Sequence, residues 1–324
     1  MVSFIWNEKN IGFWSFSNHL QKKVIPSIQN NKNIILYKLL TSKKIETVRK
    51  NFFLKKKITK NKINFLKDKK FDTVYISSIS KNHFKDCLDS IKFNKNVLCE
   101  KPICQNKKDF EKLLLLSKKK RLKIQEIYQY VHHPLFVKIK TLLKKKIIGE
   151  VKYIESSFKI PLNDKKNFRF HKKLGGGALM DVGAYPLSIP FFLFKGSKYK
   201  IIKKKINTSK TNRLDTSGGV ILNFGKKYIC NFSWGFNMPY ENYVKIVGIN
   251  GSIYAKFIFS KKIIQGCELK ILTNNKYKTI IIKKANQINL AFNYFLNEKK
   301  NREYNRISLK LLEILDLIKK KWLL

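Results

Sequence analysis

The stretch "IGFWSFSNHL", residues 11–20, decides how the first part of the chain is read. An apolar run ends in Ser15-Phe16-Ser17, and Asn18, His19 and Leu20 follow. Dinucleotide-binding folds place G-x-G-x-x-G or G-x-G-x-x-A at such a strand end. Here serine stands at each of the first two glycine positions and Leu20 at the third. The stretch reads as a nucleotide-type loop with its glycines replaced. Ile11–Phe16 is then a short buried strand. A helical stretch runs through Val24, Ile25 and Ile28, and a second apolar strand, Ile34–Leu40, ends at Thr41-Ser42-Lys43. Strand, tight turn, helix and strand in this order make a βαβ unit.

More short apolar strands follow at Thr73–Ser78 and Asn96–Cys99, with a helix over Asn82–Phe93 between them. A leucine-rich helix covers Phe110–Lys119, and a strand runs from near Leu122 to Ile127. Strands this short and this apolar suit a parallel sheet. After a helix over Leu135–Lys146 the pattern changes to longer, alternating strands: Val151–Phe158, Gly219–Phe224, Tyr228–Trp234, Tyr243–Val247 and Ser252–Phe257. Gly225-Lys226-Lys227 and Asn250-Gly251 are turn signals. A last helix aligns Ile307, Leu311, Ile314, Leu315 and Ile318 on one face. The expected class is α/β: a Rossmann-type parallel domain over residues 1–120, then an α+β domain with a large open antiparallel sheet over residues 121–324. The ligand crevice is expected at the carboxyl ends of the parallel strands.

Lys and Arg number 69 against 21 Asp and Glu, a formal net charge of +48. Such an excess raises nucleic acid as a partner. The lysine triplets, however, are spread over 55–57, 118–120, 144–146, 203–205 and 319–321. With abundant Asn and Ile they read as the codon bias of AT-rich DNA, so no specific nucleic acid is expected. The five cysteines form no C-x-x-C pair, and no metal is expected. Asn7-Glu8-Lys9-Asn10 breaks any leader-like apolar region. The apolar stretch near Tyr185–Phe194 is too short to span a bilayer, so a cytoplasmic protein without membrane insertion is expected.

Two motifs carry chemistry. In "VLCEKPI", residues 97–103, a strand ends in Glu100-Lys101-Pro102, and a lysine at such a lip can hydrogen-bond a substrate hydroxyl. In "GGGALMDVGAYPL", residues 175–187, a helix beginning near Ala178 sets Asp181 and Tyr185 four residues apart on one face. Lysine, carboxylate and phenol together make a proton-transfer set. Taken singly, Lys101 is equally a surface lysine before a proline, and Asp181 and Tyr185 are equally capping and core residues.

With both motifs in place the chain resembles the glucose–fructose oxidoreductase/inositol dehydrogenase (Gfo/Idh/MocA) family over nearly its whole length. "FDTVYISSISKNH" (71–83) is similar to that family's D-x-V-x-I-x-T-P-N-x-x-H segment, and "VLCEKPI" to its E-K-P signature. "YQYVHHP" (128–134) resembles Y-R-x-H-P, and "NFRF" (167–170) a substrate-side segment. "GGGALMDVGAY" (175–185) is similar to G-G-G-A-L-x-D-x-G. "WGFNMPYENYVKIVGINGSI" (234–253) resembles a sheet segment with its turn. The resemblance implies an NAD(P)-dependent oxidoreductase acting on a sugar, sugar nucleotide or polyol. It implies Lys101, Asp181 and Tyr185 as catalytic residues, with Arg169 and Tyr185 facing the substrate. It places Ser15, Phe16, Ser17, Asn18, His19, Ser42, Lys43, Ser78, His83, Glu100 and Lys101 on the cofactor side, with His83 near the nicotinamide ribose. It also implies a homodimer or homotetramer formed through the antiparallel sheet.

The departures from the family pattern are Ser15, Ser17, Leu20, Ile79-Ser80 in place of Pro-Asn, and Val131 in place of arginine. A positive φ at a serine costs on the order of 1–3 kcal/mol. The alternative expectation is therefore a degenerate member that keeps the fold with weakened or lost cofactor binding and acts as a binding protein. Ser42-Lys43 stands where an NAD enzyme carries an acidic residue, which suits a 2′-phosphate and leans the choice between NADP and NAD toward NADP. Lys43 is also compatible with a solvated surface charge.

Overall fold

The computed structural model describes residues 8–51, 57–164, 166–194, 198–225, 227–261, 266–297 and 301–320. Lys55, Lys56 and Lys321 of the lysine triplets, and Lys226 of the expected turn, lie outside them. The chain forms two compact units, Met1–Ile127 with Ala291–Arg306, and Tyr128–Leu290 with Ile307–Leu324.

The first unit begins with β1 (Lys9–Trp14), a π turn (Leu20–Val24) that runs into α1 (Ile25–Ile28), β2 (Ile34–Leu40), α2 (Ile45–Asn51) and β3 (Ile58–Thr59). It continues with α3 (Lys62–Leu66), β4 (Thr73–Ile76), α4 (His83–Lys92), β5 (Asn96–Cys99), α5 (Lys107–Lys119) and β6 (Ile124–Glu126). The strands pair in parallel in the order β3-β2-β1-β4-β5-β6, so the order reverses at β1 and β4. That is the Rossmann order, whose ligand crevice lies at the carboxyl ends of the strands at this switch point. All of β4, the β-branched and aromatic run Thr73–Ile76, is buried, as in a central parallel strand. Gly12 in β1 leaves room for two rings: a Cβ there would lie 2.4 Å from Phe71 and 2.7 Å from Phe65.

The first unit does not stop near residue 120. β6 pairs with β5 and carries it to Ile127, and Ala291–Arg306 returns to it. Phe292 packs on Tyr75 with ring centroids 5.0 Å apart. The side-chain amides of Asn301 and Asn305 both donate to the Ile124 carbonyl, at 2.5 and 2.9 Å. These contacts between residues far apart in sequence have no local signature.

The second unit contains α6 (Pro134–Lys144), β7 (Val151–Ile160), a π turn (Leu179–Gly183) that runs into α7 (Ala184–Leu193), β8 (Lys200–Thr208), β9 (Asp215–Phe224) and β10 (Tyr228–Phe236). β11 (Glu241–Gly248), β12 (Gly251–Lys256), β13 (Cys267–Thr273) and β14 (Lys276–Ile282) complete its sheet, in the order β14-β13-β12-β11-β7-β10-β9-β8. Neighbours are antiparallel except β7 and β10, which run parallel with Ile229 opposite Tyr153. The sheet expected to be antiparallel is thus mixed at its centre, because the chain between these strands crosses over before β10 is laid beside β7. Two last helices follow, α8 (Gln287–Asn297) and α9 (Arg302–Lys320), and each contributes residues to both units.

Among the described residues no helix is long and apolar enough to cross a membrane, and no group of three or more His, Cys, Asp or Glu is placed to hold a metal. All five cysteines are free and buried.

His133 caps α6: its Nδ1 accepts the Leu135 N–H at 3.0 Å, which needs an unprotonated nitrogen. Burial pushes His132 down to about 4 and His133, with Lys261 adding repulsion, to about 3. Both rings are neutral in the fold, whereas the unfolded chain protonates them near 6.5. The unfolded state then binds more protons, so this stability is complete above about pH 6.5 and is lost as pH falls toward 4 and 3. Asp86, raised to about 6 by burial, works the other way, its contribution being lost as pH rises through 6. The urea midpoint is expected to drop between pH 7 and pH 5. It should drop less in His133→Asn, which keeps a neutral capping acceptor; equal slopes would contradict the assignment.

Candidate active site

β1 ends at Trp14, one residue before the first serine, and Ser15 takes a left-handed backbone with φ +80°. This is the conformation for which glycine is the usual residue. Neighbouring strands fix it. The Ser15 N–H donates to the Leu40 carbonyl at 2.8 Å, and Ser77 Oγ donates to the Ser15 carbonyl at 3.2 Å. Ser17 Oγ donates to Ser77 Oγ at 3.2 Å and accepts the Leu20 N–H at 3.1 Å, so it caps the π turn. Phe16 is buried, Asn18 is exposed, and the Lys43 ammonium lies 5.5 Å from the Phe16 ring centre. Ser42 and Lys43 are exposed at the carboxyl end of β2, beside this loop. The structure therefore brings Ser15–Ser17 and Lys43 together.

At the end of β5 the Lys101–Pro102 peptide is cis. Glu100 Oε1 accepts the Tyr75 hydroxyl at 2.8 Å and lies 3.1 Å from His19 Nε2. Burial alone would raise the Glu100 carboxyl. His19, the Tyr75 hydroxyl and the Lys101 charge outweigh it and hold the carboxyl below its ordinary range. Lys101 is half-buried. His83, expected near a ribose, is 2 % exposed, and its Nδ1 and Nε2 lie 2.8 Å from the carbonyls of Pro102 and Ser78. Burial lowers its pKa against the pull of those carbonyls. The Ser78 hydroxyl donates to Asp86 Oδ2 at 2.6 Å. His83 and Ser78 are thus engaged within the protein, where the sequence reading had them facing a cofactor.

In the second unit a buried carboxylate that no motif announces organises the glycine-rich segment. Asp215, at the start of β9, accepts the N–H groups of Leu179 and Ala178. Burial raises its pKa, and these N–H groups partly offset the rise. Gly177, at φ +121°, sits against it, and a Cβ there would lie 2.3 Å from Asp215 Oδ1. A Cβ on Gly176 would lie 2.3 Å from the Arg169 carbonyl, and one on Gly183 would lie 2.9 Å from the fully buried Trp234 ring. The expected helix therefore starts as a π turn pressed between Asp215 and Trp234. Such turns recur at functional sites.

That turn presents Asp181, whose Oδ2 accepts Arg169 Nε at 2.5 Å. Asp181 first, and Tyr185 among smaller influences, raises the Arg169 pKa, which places all three in one electrostatic group. Arg169, expected to face the substrate, spends its Nε on Asp181. The Tyr185 ring is half-buried against Phe158, Phe259, Tyr128 and Tyr130, with centroids 5.3, 5.5, 5.8 and 6.1 Å away. Its carbonyl accepts Ser188 Oγ at 2.6 Å, and Ser188 Oγ is 2.6 Å from the Tyr130 hydroxyl. Packing on four aromatic rings locks the direction of the phenol.

Comparison with known proteins adds to this picture. Residues 17–128 match the family model described as oxidoreductase family, NAD-binding Rossmann fold, and residues 136–254 match the GFO/IDH/MocA C-terminal domain. A dTDP-3,4-didehydro-2,6-dideoxy-α-D-glucose 3-reductase of Actinomadura kijaniata is 24% identical over 189 residues, 58% of this chain and 57% of that protein. A trans-1,2-dihydrobenzene-1,2-diol dehydrogenase of Xenopus laevis is 30% identical over 187 residues, 58% of this chain and 56% of that protein. The matched stretch thus spans little more than half the length of these curated relatives. In fold, the chain is similar to a 3-ketoreductase from Actinomadura kijaniata solved with NADP and TDP-benzene, with a TM-score of 0.89, 18% identity and 97% and 98% of the two chains covered. It is also similar to an aldose-aldose oxidoreductase from Caulobacter crescentus solved with glycerol, with a TM-score of 0.85, 16% identity and 97% of both chains covered.

Two stability measurements check these geometries. Ser15→Gly relieves the left-handed strain and is expected to stabilise the chain by about 1 kcal/mol in urea unfolding; destabilisation would mean the serine side chain is what holds the turn. Asp215→Ala strands two buried N–H donors and is expected to cost about 2 kcal/mol, with Gly177→Ala costing at least as much. Neutral outcomes would contradict the cap.

Proposed function

This chain belongs to the Gfo/Idh/MocA oxidoreductase family, and from that premise we propose that it is an NAD(P)-dependent oxidoreductase of a sugar, sugar nucleotide or polyol. One observation carries the reading: Ser15 keeps the left-handed backbone of a nucleotide loop at the carboxyl end of β1, the strand at the switch point. The residues present fit a dinucleotide. The loop backbone takes the glycine-type path, Ser17 caps the turn behind it, and Lys43 supplies a cation beside Phe16. No observation favours a loop that has lost this path. When bound, the nicotinamide supplies or accepts the hydride.

The chain's own residues handle position and protons. Lys101 donates a hydrogen bond from its ammonium to the substrate oxygen that becomes hydroxyl or carbonyl. Tyr185 serves as the proton donor in reduction and as the proton acceptor in oxidation. The Arg169 guanidinium, in one electrostatic group with Tyr185, is held in place by Asp181. Glu100 is held by Tyr75 and His19, so its part is to fix the turn that carries Lys101. Lys43 favours NADP over NAD through the 2′-phosphate. The same reading makes the protein cytoplasmic and extends to a homodimer or homotetramer through the sheet of the second unit. There β10 alternates buried and exposed residues from Tyr228 to Phe232 and so leaves one face uncovered in the single chain.

Purified protein with NADPH and a panel of keto-sugar nucleotides, aldoses and polyols tests the proposal. Turnover on one class is expected. Lys101→Met and Tyr185→Phe should each lower kcat/KM by about 100-fold or more. Lys43→Ala should weaken NADPH by roughly 2- to 5-fold and leave NADH unchanged, as loss of one exposed ion pair would. Full activity in both Lys101→Met and Tyr185→Phe would overturn the assignment.

A further inference from the structure

Side chains from four separate elements converge on the turn Glu100–Ile103. The Tyr75 hydroxyl, from β4, and His19, from the loop after β1, hold the Glu100 carboxylate at 2.8 and 3.1 Å. Glu126 Oε1, from β6, accepts the Ile103 N–H at 3.1 Å. His83 Nδ1, from the start of α4, lies 2.8 Å from the Pro102 carbonyl. Tyr75, His83 and Glu126 are 0, 2 and 1 % exposed. Polar groups buried this deeply are costly unless their bonds are made, and here the bonds fix one backbone segment.

Among these grips His83 differs in holding two loops at once. Its Nε2 lies 2.8 Å from the Ser78 carbonyl in the loop leaving β4, and its Nδ1 faces the turn leaving β5. A neutral ring donates one of these bonds and a protonated ring both. In either state both nitrogens face backbone, and neither is turned to a ligand. The imidazole is a rigid spacer between two carbonyls, so it sets the distance between two loops at the carboxyl edge of the sheet.

We infer that His83 is a positioning residue: by spanning the Ser78 and Pro102 carbonyls it holds the turn on which Lys101 stands. The inference rests on the role proposed above for Lys101. Displacing a reacting group by about 1 Å costs on the order of 100-fold in rate. A ribose contact would instead appear in cofactor affinity. His83→Gln, checked for folding by urea unfolding, is compared with wild type in three ways. These are the Kd for NADPH, kcat with the substrate found above, and the acetylation rate of Lys101 relative to exposed Lys210 by peptide mass spectrometry. A kcat lowered by about 10- to 100-fold, an NADPH Kd within about threefold and a several-fold change in relative Lys101 labelling are expected.

A raised Kd with kcat held would make His83 a cofactor contact and overturn the inference, and so would unchanged labelling. If wild type shows no turnover, the oxidoreductase reading fails, and labelling still decides the role of His83. If the glutamine variant does not fold, nitrogen-15 NMR of wild type decides. A His83 ring N–H that stays slow to exchange on adding NADPH supports the span, and one that exchanges freely overturns it.

Discussion

The chain leaves β1 through a left-handed residue, and the arrangement of the first unit follows from that turn. β1 lies between β2 and β4, so the residue after Trp14 meets the ends of both neighbours. The Ser15 N–H is taken by Leu40 of β2, and its carbonyl is taken by Ser77 beyond β4. A residue with φ +80° satisfies both and swings Phe16 into the core. Ser17 then stands where it can cap the π turn that feeds α1. A glycine would make the turn at lower strain, but the Ser17 and Ser77 hydroxyls, ending on the Ser15 carbonyl, hold the same path from outside the residue. Substituted glycines have not removed the conformation that glycine serves.

The second unit uses glycine where the first uses serine, for a steric reason. Gly176, Gly177 and Gly183 each face an atom that a Cβ would strike: the Arg169 carbonyl, the Asp215 carboxylate and the Trp234 ring. Close approach at these three points forces the π turn, and the π turn sets Asp181 against Arg169 with Tyr185 in the same electrostatic group. The fully buried Trp234 also touches Gly218, where a Cβ would lie 2.6 Å from its ring, so one large side chain determines which positions must stay small.

Much of this was legible in the sequence where burial repeats with a regular period. The apolar runs at 34–40, 73–78 and 96–99 hold strands β2, β4 (ending two residues early, at Ile76) and β5, and the turn at Asn250-Gly251 joins β11 to β12. β8, "KIIKKKINT", was missed because its lysines overwrite the alternation. Asp215 was missed because a cap supplied from a distant strand has no spacing to read. The parallel pairing of β7 with β10 is a matter of topology, which local pattern does not encode. Lys101, Asp181 and Tyr185 were readable as types in a motif. That Arg169 is held by Asp181, and that His83 has both nitrogens on backbone, required the geometry.

The central claim is that a loop with two serines for glycines binds a nicotinamide dinucleotide. Its most direct test is a fluorescence titration of the purified chain with NADPH at moderate salt, where the +48 charge no longer gathers anions indiscriminately. Saturable binding with a Kd of about 10 μM or tighter, stronger for NADPH than for NADH, is the result this account predicts. Binding that vanishes as salt rises, or no saturation at all, would contradict it.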